Sequence, residues 1–290
     1  MNINTKGDYY QKSILQSILN NGTLDENPRP KYSDGMPAHT LSINHIMTQY
    51  DYQENESPFV TLRPIAWKSA IKEIFWIYQM QSNKLDDLHN LGIKYWDQWD
   101  IGDGTIGCRY GETVRKHNLI NTLLDDIKND PFGRRKVMSL WQVDDFKDET
   151  GGTTKGLNPC CYETIWNVRK SNDGEYYLDM LLNQRSSDFA TSVSINEIQY
   201  LALLLMISKH CGYKPGVFSH VIENAQIYNR HIENAVELVS RESIPCKATL
   251  ILDTDKTNFF DFTLDDFKLI DYPLDKIKEI NPQLTFDLGI

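Results

Sequence analysis

Apolar positions recur at helical spacing in several stretches of this 290-residue chain. Those between residues 14 and 19 predict a helix that ends at Asn21-Gly22, because glycine commonly terminates helices. The segment 197–210 is apolar on nearly every side, which indicates a buried helix. The same spacing predicts helices over 67–79, 119–127 and 229–240.

Alternating or continuous apolar runs predict the strands of a sheet. They lie at 39–47, 134–141, 161–169, 176–184 and 217–228, with two further β-rich pieces at 249–253 and 259–262. Strands and helices are mixed without a regular βαβ order, and no linker or repeat divides the chain. We therefore expect an α+β fold with a single domain over 1–290, a mixed β-sheet and flanking helices.

Composition narrows the function classes. A hydrophobic content of 40% excludes disorder, and a net charge of −10 argues against general binding to DNA or to a membrane surface. An anionic ligand must therefore be held by local arginines. Five cysteines without Cys-x-x-Cys spacing, and no signal-like apolar segment at the N-terminus, predict a cytoplasmic protein. The seven histidines form no metal-ligand motif, so we expect no metal.

The segment 102–107 has the G-x-G-x-x-G spacing of dinucleotide-binding loops. That motif holds a pyrophosphate only between a strand and a helix N-terminus. No strand pattern precedes it and no helical pattern follows, so we interpret it as a turn.

Two clusters suggest an anion site. Arg134-Arg135 opens a predicted strand, and 184–188 (Gln-Arg-Ser-Ser-Asp) closes another. Paired arginines are either solvated surface charge or a phosphate clamp, since guanidinium groups match phosphate oxygens. Two such clusters in an acidic chain favour the clamp.

The Pro-Cys-Cys segment at 159–161 starts a predicted strand. Adjacent strand residues face opposite sides, so one thiol can enter the core while the other enters a cleft. The cysteine in the cleft is either a small hydrophobe or a nucleophile whose thiolate nearby arginines favour.

Two single residues have two interpretations each. Glu73, in an apolar helix, points outward or is buried with a raised pKa suited to proton transfer. Asn196 precedes the 197–210 helix, so it is a helix cap or an amide that reads a base edge. Tyr228, before a predicted helix, is interpreted as a core aromatic.

Taken in order, these segments resemble the thymidylate synthase family through nearly the whole chain. The most specific signal is an Arg-Arg strand followed by Pro-Cys and then by Gln-Arg-Ser-x-Asp and Asn. The resemblance implies reductive methylation of dUMP by 5,10-methylenetetrahydrofolate as cosubstrate, giving dTMP and dihydrofolate. Its implied partners are dUMP, the folate and a second copy of the chain.

The resemblance also assigns the catalytic roles. Cys160 matches the nucleophile that adds to C6 of the pyrimidine. Glu73 matches the acid that manages protons at O4 through water, and Tyr110 lies where the family moves the C5 proton. Asn196 matches the amide that reads O4 and N3–H.

Binding residues follow in the same way. Arg29, Arg185 and Ser186 resemble phosphate ligands, and Arg134 and Arg135 resemble the pair donated by the other subunit, which implies a homodimer with shared sites joined through a sheet face. The implied contacts with the nucleotide further include Asp188, Gln226 and Tyr228, the last at the ribose. The implied folate contacts are Trp96, Trp99, Asp188, Ser192 and Ile290.

The chain departs from the family pattern at four places. Residues 191–196 (TSVSIN) replace Leu-Gly-x-Pro-Phe-Asn, 223–228 (ENAQIY) replace Gly-Asp-x-His-x-Tyr, Cys161 follows the nucleophile, and 148–156 resembles an insertion. Two alternatives stay open: a dUMP hydroxymethylase on the same fold, which quenches the intermediate with water, and an inactive nucleotide-binding homologue. Trp96, Trp99 and Ile290 favour methylation because they exclude water.

Overall fold

The computed structural model describes residues 5–147, 156–172 and 174–287. Its helices are α1 (Lys6–Asn21), α2 (Trp67–Ile74), α3 (Leu85–Asn90), α4 (Gly111–Lys116), α5 (Leu119–Asn129), α6 (Val193–Cys211), α7 (Ile232–Ser240) and α8 (Leu274–Ile280). Its strands are β1 (Thr23–Leu24), β2 (Thr40–Asp51), β3 (Val137–Ser139), β4 (Cys161–Lys170), β5 (Tyr176–Gln184), β6 (Ser187–Asp188), β7 (Lys214–Tyr228), β8 (Thr249–Leu252) and β9 (Phe267–Ile270).

A seven-stranded mixed sheet forms the centre of the fold, in the order β1-β2-β7-β5-β4-β3, with β6 also paired to β7. The β5–β7 and β6–β7 pairs are parallel, whereas the other pairs of this sheet are antiparallel. A separate antiparallel pair joins β8 to β9. The α+β class and the mixed sheet with flanking helices are thus confirmed.

The core lies between the sheet and α2 and α6. Trp166 of β4 and Trp76, in the π-helical turn Phe75–Gln79 that continues α2, are both fully buried. Helix α6 is buried on nearly all sides, as its continuous apolar run predicts, and it ends at Gly212, whose φ of 78° is left-handed. This packing holds in place the end of the sheet where β4 begins, at Cys161, and β5 ends, at Gln184.

The opposite side of the sheet, here called the outer face, presents half-exposed side chains that alternate with the core residues. Across neighbouring strands, Val137, Ile165 and Leu181 form one row, and Asn183, Val221 and Met47 belong to the next. Met47 is 56% exposed and Val137 is 50% exposed. In the ranges given above, no helix is long and apolar enough to cross a membrane.

Three predicted elements differ from the structure. The prediction of a strand at 259–262 is wrong, because Phe259–Asp261 forms a 3-10 turn. Phe259 is buried in the core there, and Gln79 Nε2 donates a hydrogen bond to its carbonyl at 2.6 Å. The partner of β8 is β9 instead. The strand predicted at 134–141 contracts to β3. Helix α6 begins at Val193, so Asn196 lies inside it, and the interpretation of Asn196 as the helix cap is wrong.

The glycine-rich segment 102–107 is a turn, as predicted. The Asp100 carboxylate accepts hydrogen bonds from the backbone N–H groups of Gly102 and Gly104 at 2.8 and 3.0 Å. A short helix, α4, does follow at Gly111, contrary to the sequence interpretation. No strand precedes the segment, so the context of a dinucleotide-binding loop is still missing.

Candidate active site

The two adjacent cysteines lie in different environments. Cys161 is the first residue of β4 and only 4% exposed, packed in the main core. Cys160, one residue earlier, is half-buried. The alternation of strand residues therefore separates a structural thiol from an accessible one, as the sequence predicts.

Arg185 fixes the loop that carries Cys160. Its Nε donates to the carbonyl of Pro159 at 2.9 Å, and its Nη2 donates to the carbonyl of Asn158 at 2.8 Å. The same Nη2 lies 3.6 Å from Cys160 Sγ. Burial raises the pKa of the Cys160 thiol, and the Arg185 charge opposes that rise. The guanidinium thus stabilises the thiolate, but less than burial disfavours it.

Tyr110 contacts Cys160 through its side-chain hydroxyl. Its hydroxyl accepts a hydrogen bond from the Cys160 backbone N–H at 3.0 Å. The side chain is 6% exposed, and burial raises its pKa well above the ordinary value. Its backbone φ is 47° with ψ at −111°, a costly conformation for a residue with a side chain. Because its pKa is raised, the Tyr110 hydroxyl keeps its proton next to Cys160.

Glu73 is buried near the end of α2, with 6% of its surface exposed. The hydroxyl of Tyr95 donates a short hydrogen bond to its carboxyl. Burial raises the pKa of Glu73, whereas hydrogen bonding from Tyr95, Trp96 and Gln199 lowers it. Glu73 therefore points inward rather than outward, and its role in proton transfer stays a prediction.

An aromatic wall stands beside these groups. Trp96 packs edge-on against Trp99 with ring centroids 5.1 Å apart, and against Tyr110 at 5.2 Å. The indole N–H of Trp96 is buried without a fully aligned hydrogen bond. The wall offers flat ring faces, which suit stacking with a heteroaromatic ligand.

Asn196 makes two directed hydrogen bonds within α6 and to the sheet. Its Oδ1 accepts from Gln184 Nε2 at 3.1 Å, and its Nδ2 donates to Gln199 Oε1 at 3.0 Å. Each end of a carboxamide can make two hydrogen bonds, so one lone pair and one N–H are left for a ligand.

Asp188, in β6, organises the turn that leads into α6. Its carboxylate accepts from the Ala190 backbone N–H at 3.1 Å and lies 3.3 Å from His231 Nδ1. Its backbone carbonyl accepts from the hydroxyl of Ser192 at 3.0 Å. Half-buried Gln226 is its partner on β7. The Asp188 carboxylate therefore already has partners within the chain.

Tyr228 lies between this region and Cys160. Burial raises its pKa to about 12, and the charges of Asp188, Cys160 and Arg29 are close enough to contribute. Its ring lies edge-on to Tyr32, 6.2 Å away. The structure thus brings Tyr228, Asp188 and Arg29 to the Cys160 side of the molecule.

Three arginines present free positive charge. Arg29, Arg134 and Arg135 are exposed, and within the described parts of the chain none forms an ion pair with a carboxylate. Ser186 is half-buried after β5, where its carbonyl accepts from Gln184 Nε2 at 3.0 Å. Ile290 and residues 148–155 of the predicted insertion lie outside the described residues.

Known proteins are similar to this chain over nearly its whole length. The thymidylate synthase family model matches residues 8–283. The chain belongs to the thymidylate synthase family. The thymidylate synthase of Lactococcus lactis strain IL1403 is 46% identical over 288 residues, covering 99% of this chain and all of the relative. That of Streptococcus pneumoniae is 46% identical over 289 residues with the same coverage.

A solved structure agrees with the fold. The thermostable thymidylate synthase A from Bacillus subtilis has a TM-score of 0.84 and 36% identity, covering 98% of this chain and 99% of its own. The resemblance seen in the sequence motifs is therefore confirmed. No group of three or more His, Cys, Asp or Glu side chains that could hold a metal ion occurs among the described residues.

Sequence reasoning missed several residues of this thymidylate synthase site. Tyr95 donates a hydrogen bond to Glu73, Gln184 and Gln199 hold Asn196, and Trp141 lies under Arg185 at 5.7 Å. Tyr95 directly precedes Trp96, and Gln184 opens the Gln-Arg-Ser motif, so proximity to recognised residues was an available signal. Nothing in the sequence singled out Gln199.

Proposed function

We propose that the site converts dUMP to dTMP and uses 5,10-methylenetetrahydrofolate as the one-carbon donor and reductant. The observation that carries this proposal is the position of Cys160, held between the Arg185 guanidinium and the Tyr110 hydroxyl. Thymidylate synthase relatives over the full length support the same activity.

The first step is attack by the Cys160 thiolate on C6 of the uracil ring. Arg185 stabilises the thiolate by its positive charge 3.6 Å from Sγ. The S–C6 bond forms as the C5–C6 π electrons move toward C5 and O4, which makes C5 nucleophilic. Asn196 donates to O4 through its free N–H, and Glu73 manages the proton there through water.

The later steps need a proton acceptor near C5 and a dry site. Tyr110 touches the Cys160 loop, and its hydroxyl, which keeps its own proton, is suited to orient a water that accepts the C5 proton. The folate supplies the methylene carbon and then the hydride. Trp96 and Trp99 form the wall against which it stacks, and their burial limits water at C5. Asp188, Ser192 and Ile290 complete the proposed folate contacts.

The phosphate of dUMP needs the free arginines. Arg29, Arg185 and Ser186 supply ligands from one chain, and Arg134 and Arg135 of the partner subunit supply the rest. Tyr228 bonds the ribose, and Gln226 lies beside it on β7. This allocation explains why an acidic chain leaves exposed arginines without carboxylate partners.

Because Arg134 and Arg135 are assigned to the site of the partner subunit, the proposal includes a homodimer, which we place at the outer face. That face carries the apolar row Val137, Ile165 and Leu181 beside polar residues, so it can pair with a second copy. We expect chains with Arg135→Ala and chains with Cys160→Ala to be nearly inactive alone. Mixed, they should regain activity, because one site in each heterodimer is undamaged. An active monomer in sedimentation would contradict this arrangement.

Product analysis tests the activity itself. Incubation with dUMP and methylenetetrahydrofolate should give dTMP and dihydrofolate in equal amounts, with dihydrofolate followed by absorbance. Cys160→Ala should abolish the reaction, while Cys161→Ala, which alters a core thiol, should retain it. Formation of 5-hydroxymethyl-dUMP without dihydrofolate would overturn the methylating reaction, and no turnover at all would overturn the enzyme assignment.

A further inference from the structure

A chain of buried polar side chains runs beneath Asn196. His220 of β7 is completely buried between Glu197 of α6 and Gln184, the last residue of β5. His220 Nε2 lies 2.8 Å from Gln184 Oε1, and its Nδ1 lies 3.4 Å from Glu197 Oε1. None of these three side chains has a role in the mechanism above.

A backbone group shows the direction of the hydrogen bonds in this chain of side chains. Gln184 Nε2 donates to the carbonyl of Ser186, which can only accept. The amide oxygen of Gln184 must therefore face His220, and His220 must donate from Nε2. A neutral histidine with its proton on Nδ1 would place two acceptors against each other at 2.8 Å.

Glu197 completes the far end of the chain. Its carboxylate accepts from the hydroxyls of Thr48 at 2.6 Å and Tyr50 at 3.0 Å. His220 Nδ1 lies 3.4 Å from one of the carboxylate oxygens, so Glu197 holds the ring from the side opposite Gln184. A buried pair of this kind stabilises little by itself, so its effect on orientation is the more important property.

Gln184 transmits that orientation to the site. Its Nε2 also donates to Asn196 Oδ1, which turns the Asn196 nitrogen toward Gln199 Oε1. The free lone pair and the free N–H of Asn196 then face a ligand in one fixed order. That order matches N3–H and O4 of uracil, and it opposes the acceptor N3 and amino group of cytosine.

We propose that the buried His220–Glu197 pair is a specificity determinant, which fixes Gln184 and through it the direction of the Asn196 carboxamide, so that the site selects uracil over cytosine nucleotides. His220 and Glu197 touch no substrate and act as positioning residues. The inference rests on the proposed function, in which Asn196 reads the base.

Three variants test the inference through binding without folate. His220→Met removes both ring donors and leaves an apolar side chain of similar size. His220→Gln keeps an N–H donor near the position of Nε2. Thr164→Val is the matched control: it removes a buried hydroxyl that accepts from the Trp166 indole at 2.8 Å, elsewhere on the core side of the sheet.

Calorimetry gives Kd for dUMP and for dCMP in each protein. We expect the ratio of Kd for dCMP to Kd for dUMP to fall at least about tenfold in His220→Met, since a misdirected amide leaves buried polar groups unpaired. The ratio should return to within about threefold of the wild type in His220→Gln, and it should not change in Thr164→Val. Equal weakening of both nucleotides in His220→Met would mean a merely structural role and overturn the inference.

Two further results separate the possible failures. If His220→Met does not fold, ¹⁵N spectra of histidine-labelled wild type, assigned against His220→Gln, decide: an unprotonated Nε2 on His220 overturns the inference, and a protonated Nε2 supports it. A wild type that binds dUMP no better than dCMP defeats the proposed function, and the inference with it. A wild type that discriminates, with His220→Met unchanged, defeats the inference alone.

Discussion

Removing one hydroxyl from Tyr95 should shift the pH dependence of the reaction. The Tyr95 hydroxyl donates to the Glu73 carboxyl, and the ring is 46% exposed. Tyr95→Phe deletes this donor and leaves the ring in place. Donation to the ionised carboxyl lowers its pKa, so the loss of the donor must raise the pKa of Glu73 further.

The size of the shift follows from the strength of the lost bond. Hydrogen bonds to charged groups contribute about 1.5–3 kcal/mol, and 1.36 kcal/mol corresponds to roughly one pKa unit. Because Tyr95 is half-exposed, water replaces part of the lost donation. We therefore expect the acidic limb of kcat/KM for dUMP to move about one unit toward higher pH.

The assay is the pH profile of kcat/KM for the wild type and Tyr95→Phe. Tyr52→Phe is the matched control, because the Tyr52 hydroxyl donates at 2.8 Å to the Leu250 carbonyl and has no link to Glu73. At pH values above the limb, the wild type and Tyr95→Phe should have similar rates. A uniform loss of rate without movement of the limb, or movement toward lower pH, would refute the reasoning.

Three other predictions test the site independently. With 5-fluoro-dUMP and methylenetetrahydrofolate, peptide mapping should find a covalent adduct on Cys160 and none on Cys161, whose thiol pKa is raised far more by burial; an adduct on Cys161 would contradict the assignment. Asn196→Asp should lower kcat/KM for dUMP by about 10²–10³-fold, since two pairings at about 1–3 kcal/mol each are disturbed, and should give measurable reaction or exchange at C5 of dCMP; an unaltered preference for dUMP would remove the base-reading role. The pKa of Glu73 is raised in the folded state, so between its unfolded value of 4.5 and its folded value the native protein binds more protons than the unfolded chain and loses stability as pH rises. Glu73→Gln should therefore flatten the decline of Tm above about pH 5. Parallel Tm curves for the two proteins would count against a buried ionisable Glu73.

Local patterns predicted the parts of the structure that depend on local physics. The continuous apolar run of α6 indicated a buried helix, and the alternation at 160–161 separated the two thiols. The Phe-rich segment 259–262 misled because its composition is typical of a strand, whereas the burial of Phe259 in the core and the Gln79 side chain determine its path. Strand propensity cannot represent a contact between residues so far apart in the sequence.

Hydrogen-bond direction was the feature that the sequence could not provide. His220 and Gln184 are 36 positions apart, and Tyr95 is 22 positions from Glu73. Each side chain alone has an ordinary core or surface interpretation. Only the folded structure shows which atom donates, because the Ser186 carbonyl that Gln184 contacts can only accept.

The pKa of Cys160 indicates what one chain lacks. Burial raises that pKa, and within one chain Arg185 is the charge that lowers it. The same guanidinium is proposed to bind the dUMP phosphate, whose negative charge reduces its effect on the thiol. In the proposed dimer, two more guanidinium groups from the partner subunit meet the phosphate. Arg185 then keeps its charge available to Sγ, so phosphate binding and thiolate formation no longer compete. In the proposed dimer, the exposed Arg134 and Arg135 therefore act on Cys160 without touching it: by binding the phosphate, they leave the charge of Arg185 to stabilise the thiolate.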